Sequence, residues 1–305
     1  MKKIFFLLGI GIFVFQTAFA NRELKDITYV QRDTCSLKMD VYYPKNVQPN
    51  TPCIIFVFGG GFLMGSKSYD SNVDFCRAMS DQGFVTVAID YRLGLVGVKN
   101  ISPTNVKPLD KAIHMAVEDL YSATDFLIKN KEKYSINPEK IIICGSSAGA
   151  VTVLQADYEL ANRNEIAATF PADFRYAGVV SFAGAILTHE WKPDYRKHSP
   201  APTMFFHGMD DKVVFYDKLQ VLRLGFFGTN ALVKRFEKFN YPYYAYRYRD
   251  MGHEIAEVPM TRNITEIVTF INDYVMEARP LKIDITVKDG ELKPYMKWKS
   301  HKDLY

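Results

Sequence analysis

Ser147 has a glycine two positions away on either side, in the run Gly145-x-Ser147-x-Gly149. The apolar stretch Ile141–Cys144 leads into it, and the helix-compatible stretch Ala150–Ala156 follows. A strand that turns into a helix around one serine forces that serine into a strained backbone conformation. Residues without side chains are then required two positions away on each side. The strain holds the hydroxyl above the sheet, where a histidine can reach it. A serine hydroxyl is a poor nucleophile at neutral pH and needs such a base. Six histidines are available: His114, His189, His198, His207, His253 and His301. His114 falls in a helical pattern, His189 and His198 in a connecting stretch, and His301 in the tail. His207 opens the segment His207-Gly208-Met209-Asp210-Asp211, where it reads as bracing a turn. His253 follows the last expected strand, and its bland alternative is a solvated loop histidine.

The elements that must position these residues alternate between strand and helix. An opening β-hairpin is expected from Asp26–Arg32 and Ser36–Tyr43, and buried strands at Cys53–Phe58, Phe84–Asp90 and Ile141–Cys144. Further strands are expected at Tyr176–Phe182, Thr203–Phe206 and Tyr243–Tyr248. Helical periods cover Asp74–Gln82, Asp110–Lys131, the stretch after Ser147 to about Ala161, and Ile264–Ala278; Val214–Phe226 reads as mixed helical. Such alternation implies parallel βαβ units under helices on both faces. One domain over 21–278 suffices, with a tail over 279–305. In that tail Ile283–Val287, Asp289-Gly290 and Glu291–Trp298 read as a terminal β-hairpin.

Four segments fall in a telling order: Phe58-Gly59-Gly60-Gly61-Phe62 after the first buried strand, the Ser147 turn, the His207–Asp211 segment, and Gly252-His253. With Asp90-Tyr91-Arg92-Leu93 between the first two, the chain resembles the α/β-hydrolase superfamily, close to carboxylesterases with a triple-glycine oxyanion motif. The likeness runs over roughly residues 27–278. It implies an α/β-hydrolase fold, a mostly parallel central sheet with helices on both faces, and a catalytic triad of Ser147, Asp211 and His253. Asp210 is the rival acid; motif spacing alone favours Asp211. The resemblance also assigns the backbone N–H groups of Gly60, Gly61 and Ala148 to an oxyanion hole. Many relatives carry histidine where this chain has Phe58, which argues against the hormone-sensitive-lipase-like subgroup.

Composition sets the remaining limits. The chain has 305 residues, 48% apolar and 24% charged, within the ordinary globular range. Its formal charge of +4 is diffuse and points to no nucleic-acid partner. Lys2-Lys3, the short apolar run Ile4–Phe15 and Ala18-Phe19-Ala20 read as a secretory signal peptide over 1–20, cleaved after Ala20. The expected location is therefore periplasmic or secreted, with no stable membrane insertion after cleavage. Export permits disulfides, but Cys53 and Cys144 fall on apparent buried strands and Cys76 on an apparent helix, and no essential disulfide is expected. The cysteine spacings match no zinc pattern, so neither metal nor organic cofactor is expected.

The expected activity is hydrolysis of short-chain or polysaccharide-borne carboxylic esters. Two readings compete with it: a serine peptidase on the same fold, and a non-catalytic binding protein on a hydrolase scaffold. No long insertion precedes the first strand or separates Phe182 from Thr203, so the site is expected to be open. Phe62, Leu63, Met64, Tyr69, the loop Gly94–Lys107, Trp191 and Tyr195 are candidate walls, each also explicable as ordinary packing.

Overall fold

A computed structural model describes residues 22–99, 105–295 and 300. The first twenty residues, His301 and part of the loop Gly94–Lys107 lie outside the described residues. The chain opens with β1 (Glu23–Gln31), β2 (Ser36–Tyr42) and β3 (Thr51–Val57), then α1 (Asp70–Asp81), β4 (Val85–Ile89) and α2 (Lys107–Lys129). A short α3 (Lys131–Tyr134) precedes β5 (Ile136–Ser146) and α4 (Ala148–Asn162). Then come β6 (Gly178–Phe182), β7 (Ala185–Thr188), β8 (Thr203–Gly208), β9 (Lys218–Val221), β10 (Leu224–Gly228) and α5 (Thr229–Phe239). The last elements are β11 (Tyr243–Tyr248), α6 (Pro259–Arg262), α7 (Ile264–Phe270) and β12 (Lys282–Val287).

Nine strands form the main sheet in the order β1-β2-β4-β3-β5-β6-β8-β11-β12. β2 pairs antiparallel with β1 and β4; every pairing from β4 through β12 is parallel. The near-continuous apolar residues of β3 to β8 are those of strands buried on both faces. Phe205 packs on Phe236 of α5, while Phe206 packs on Phe182, which meets Phe75 of α1. Adjacent strand residues point to opposite faces, so α5 and α1 cover opposite sides of the sheet. α2 and α4 are tied to each other by the Tyr121 hydroxyl, which donates to Ala156 O at 2.6 Å. The expected α/β-hydrolase architecture is what forms.

Three expectations change. Val214–Phe226, read as mixed helical, instead contains β9 and most of β10, which join β7 in a second, antiparallel sheet ordered β7-β10-β9. The helix comes after it, as α5. The helix expected over Ile264–Ala278 is α-helical only to Phe270 and widens into a π-helical turn over Ile271–Met276. In the tail, Ile283–Val287 is a strand, but it does not begin a hairpin at Asp289-Gly290. It pairs parallel with β11 from Tyr243↔Lys282 to Tyr248↔Val287 and closes the edge of the main sheet. Its alternating burial fits an edge strand, and Arg247 of β11 binds Asp284 through two nitrogens, at 2.5 and 2.8 Å. Residues 291–295 form no strand, and 296–299 lie outside the described residues.

Candidate active site

All four segments singled out in the sequence sit at the carboxyl ends of parallel strands of the main sheet, where open α/β sheets carry their sites. The glycine run follows β3, Ser147 follows β5, Asp211 follows β8 and His253 follows β11.

Ser147 has φ 51° and ψ −117°, a backbone conformation that non-glycine residues rarely adopt. Its amide donates to Phe182 O at 2.9 Å, which fixes the turn against β6. Gly149 needs to lack a side chain for a steric reason. A Cβ there would lie 2.0 Å from Val57 O and 2.7 Å from Phe58 O, so α4 can begin this close to β3 only with glycine. Ser146, the neighbouring hydroxyl, is committed elsewhere: it donates to Ala256 O at 2.8 Å and so ties the turn to the histidine-bearing segment.

The Ser147 Oγ lies 2.8 Å from His253 Nε2, and His253 Nδ1 lies 2.7 Å from Asp211 Oδ2. Asp211 Oδ1 accepts the backbone N–H groups of Val213 at 2.8 Å and Val214 at 3.1 Å. His207 Nε2 approaches Asp211 Oδ2 at 3.3 Å. The side chains of Asp211 and His253 are 0% and 3% exposed. Burial alone would raise the Asp211 pKa. The charge of His253 and the hydrogen bonds from His207 and His253 outweigh it, so the carboxyl stays well below the usual carboxylate range. Asp211 is therefore ionised wherever the protein is folded near neutrality. Asp210, the rival, is exposed, and its amide donates to Met251 O at 2.9 Å; with Met209 N to Tyr248 O at 2.8 Å, this laces the acid and histidine loops together.

The glycine run faces the serine: a Cβ on Gly59 would sit 3.1 Å from Ser147 Cβ. Gly60 has φ 129° and Gly61 φ 64°. A Cβ on Gly60 would meet Met64 O at 1.9 Å, in a tight turn closed by Leu63 N and Met64 N on Gly60 O. Ala148 opens α4, so its N–H is among those left without an intrahelical acceptor, at the positive end of the helix dipole. Phe58 packs at a tilt against Tyr91 with centroids 4.5 Å apart, and the Tyr91 hydroxyl donates to Phe58 O at 3.1 Å. The segment Asp90–Leu93 therefore braces the glycine loop. Arg92 anchors it in turn, donating from its backbone N at 2.8 Å and its Nε at 2.9 Å to the buried Asp119 Oδ2 of α2.

Four other histidines are accounted for. His207 is fully buried. His114 and His189 both bind Asp110, at 3.1 and 3.0 Å, beside a separate cavity of about 730 Å³ between α2 and α4. The Asp110 hydrogen bond raises the His114 pKa to about 9 against the cost of burial. His198 is exposed on a loop. Of the candidate walls, Met64, Tyr69 and Trp191 are exposed, Leu63 is half-buried, and Phe62 is buried beside Tyr91. Tyr195 packs edge-on among Tyr158, Phe236 and Tyr241 as part of the core. All four cysteines are unpaired, three of them buried. Among the described residues no helix is long and apolar enough to cross a membrane.

Sequence reasoning passed over Ser146 as a tether and Thr229 as a partner of His207. Ser146 fills an unspecified position of the serine motif and Thr229 belongs to none, and each acts on a residue well away in the chain.

A family model, BD-FAE, matches residues 39–193. Gut esterase 1 of Caenorhabditis briggsae is 32% identical over 123 residues, 39% of this chain and 20% of that protein. A probable isoprenylcysteine alpha-carbonyl methylesterase of Arabidopsis thaliana is 26% identical over 143 residues, 47% of this chain and 26% of that protein. The chain thus spans only about a fifth to a quarter of these curated relatives. Among solved structures, Thermogutta terrifontis esterase 2 phosphonylated by cyclosarin superposes with a TM-score of 0.60 at 18% identity, covering 87% of this chain and 96% of that one.

Proposed function

The chain belongs to the BD-FAE family, an α/β-hydrolase family of esterases and lipases, and from that premise we propose that it is an exported serine carboxylesterase acting through an acyl-enzyme on Ser147. The observation that carries the reading is the continuous chain Ser147–His253–Asp211, with contacts of 2.8 and 2.7 Å.

In this reading His253 Nε2 takes the hydroxyl proton as Ser147 Oγ bonds to the ester carbonyl carbon. Asp211 holds the other ring proton on Nδ1 and stabilises the imidazolium. The carbonyl oxygen becomes an oxyanion held by the N–H groups of Gly60, Gly61 and Ala148, placed before charge develops. The tetrahedral intermediate collapses, the alcohol leaves with the proton from His253, and the acyl group remains on Ser147. Water then repeats the sequence with His253 as base, releasing the acid and restoring the serine.

The substrates are short-chain or polysaccharide-borne esters. The second sheet is small, and Met64, Tyr69 and Val96 stand exposed around the glycine loop, Leu95 N being bonded to Phe62 O at 3.0 Å. A rim that is apolar and exposed among the described residues suits a small acyl group or an ester displayed on a polymer. Export is supported by the basic, apolar and small-residue order of residues 1–20.

The test is a panel of p-nitrophenyl esters from acetate to palmitate, peptide p-nitroanilides, and acetylated and feruloylated oligosaccharides. The reading expects acetate and butyrate to be preferred, no rate jump above the solubility limit, and no anilide cleavage. Preference for palmitate with interfacial activation would make the protein a lipase. Anilide cleavage would make it a peptidase. N-terminal sequencing of protein recovered outside the cytoplasm should begin at Asn21.

A further inference from the structure

The triad accounts for one face of Asp211. A second imidazole stands on the same carboxylate oxygen. His207 Nε2 hydrogen-bonds Val214 O at 3.0 Å and stands 3.3 Å from Asp211 Oδ2, so its one proton is shared unequally between the two acceptors. On its other side His207 Nδ1 is 2.9 Å from the Thr229 hydroxyl. Both groups facing Nε2 are acceptors only, a carboxylate and a backbone carbonyl, so Nε2 must carry a proton. In the neutral ring Nδ1 is then the acceptor, and the Thr229 hydroxyl donates to it at 2.9 Å. The hydrogen-bond partners therefore select one neutral tautomer.

We infer that His207, held with Nε2 protonated by Val214 O and Asp211 Oδ2 and braced at Nδ1 by Thr229, is a positioning residue for the triad: it fixes Asp211 Oδ2 and limits how strongly that oxygen draws on His253. This rests on the esterase reading for its kinetic consequences but not for its structural ones. Oδ1 is already occupied by Val213 N–H and Val214 N–H, so Oδ2 alone serves both histidines. His207 and Thr229 are both fully buried. No water can therefore substitute freely for either partner. Thr229 is itself placed by the second sheet. It is the first residue of α5, directly after β10 ends at Gly228, and a Cβ on Gly228 would lie 1.9 Å from Phe215 O. The stretch Val214–Phe226, expected to be mixed helical, thus folds as strands that lead directly into the residue bracing His207 Nδ1.

The sign of the effect follows. The His207 N–H, facing Oδ2 at 3.3 Å, draws on the same lone pairs as His253. Removing that donor lets Asp211 stabilise the His253 imidazolium more, so the rising limb of kcat/KM moves to higher pH. Removing the Thr229 hydroxyl weakens His207 as a donor and moves the limb the same way by less. Other titratable or charged groups packed around the pair are Tyr216, whose ring meets His207 edge-on, and Arg247, which lies over the Tyr216 ring. These stay in place in every variant.

The experiment uses the full mature chain and the variants His207→Phe, His207→Gln and Thr229→Val. His207→Phe should raise the rising limb by roughly half a unit to one unit and lower kcat about tenfold with little change in KM. His207→Gln, which keeps an N–H near the Nε2 position, should restore most of both; Thr229→Val should show the smaller shift. Long-range ¹H–¹⁵N spectra of the unliganded wild type should show His207 protonated on Nε2 and bare on Nδ1. A wild-type limb in both His207→Phe and Thr229→Val would reduce His207 to packing and overturn the inference, as would a proton on Nδ1 with bare Nε2. If the wild type hydrolyses no ester, the functional reading fails, while the spectrum still decides the tautomer.

Discussion

Asp211→Asn keeps the shape of the acid but reverses its hydrogen-bond pattern. Oδ1 receives two backbone N–H groups, from Val213 and Val214, so the amide oxygen of asparagine must occupy that position. Its NH₂ then sits where Oδ2 was, 2.7 Å from His253 Nδ1, and donates. His253 is driven to carry its proton on Nε2, facing Ser147 Oγ at 2.8 Å, where it can no longer accept one. The same NH₂ confronts the His207 N–H at 3.3 Å. The tautomer error alone costs about 10⁴-fold in kcat when the corresponding change is made in the serine-protease triad, which is about 5.4 kcal/mol of transition-state stabilisation. The assay is p-nitrophenyl acetate hydrolysis, normalised to the folded fraction by circular dichroism, with Asp210→Asn alongside. Asp210 is exposed, so its variant should retain activity within a few fold. A folded Asp211→Asn enzyme within tenfold of wild type, or an inactive Asp210→Asn, would refute the reasoning. Stability gives a second reading of the same residue. The folded pKa of Asp211 lies below its unfolded value of about 3.9. Its contribution is thus complete above that pH and lost as pH falls, and the acid loss should be shallower in the variant.

Asp157 of α4 behaves oppositely: burial raises its pKa to about 7, and the Ala201 N–H it accepts offsets this only in part. A carboxylate with a raised folded pKa destabilises as pH climbs from about 3.9 to about 7, by about 4 kcal/mol once fully ionised. Asp157→Asn should therefore raise the melting temperature at pH 8 and leave it unchanged near pH 4; parallel stability curves would contradict this. Ser146→Ala loses the bond to Ala256 O and should cost about 1 kcal/mol of stability with turnover within tenfold of wild type; an inactive, folded Ser146→Ala would move the nucleophile. Activity should rise with pH through one histidine limb and be insensitive to EDTA; chelator inhibition reversed by zinc would contradict the mechanism.

The site was legible because its residues follow strand ends in chain order: Ser147, Asp211 and His253 each stand just past a run of buried apolar residues. The choice of Asp211 over Asp210 was not legible from chemistry. It depends on which carboxylate turns inward to the Val213 and Val214 amides, a matter of loop conformation. β12 shows its alternation in Ile283, Ile285 and Val287, so a strand was expected there; its partner, Tyr243–Tyr248, lies more than thirty residues earlier in the chain, and the pairing leaves no local mark. β9 and β10 are four and five residues long, and β9 is largely exposed, so their period is too short to separate strand from helix. Thr229 and Ser146 act on residues far off in the chain, which no spacing reveals.

The central claim is that Ser147 carries the acyl group. Treating the wild type with a fluorophosphonate and mapping the adduct by peptide mass spectrometry tests it most directly. One adduct per chain on the peptide containing Ser147, formed in step with loss of ester turnover and absent from Ser147→Ala, is the predicted result. An adduct on another residue in the inactivated enzyme, or normal turnover by a folded Ser147→Ala protein, would contradict it.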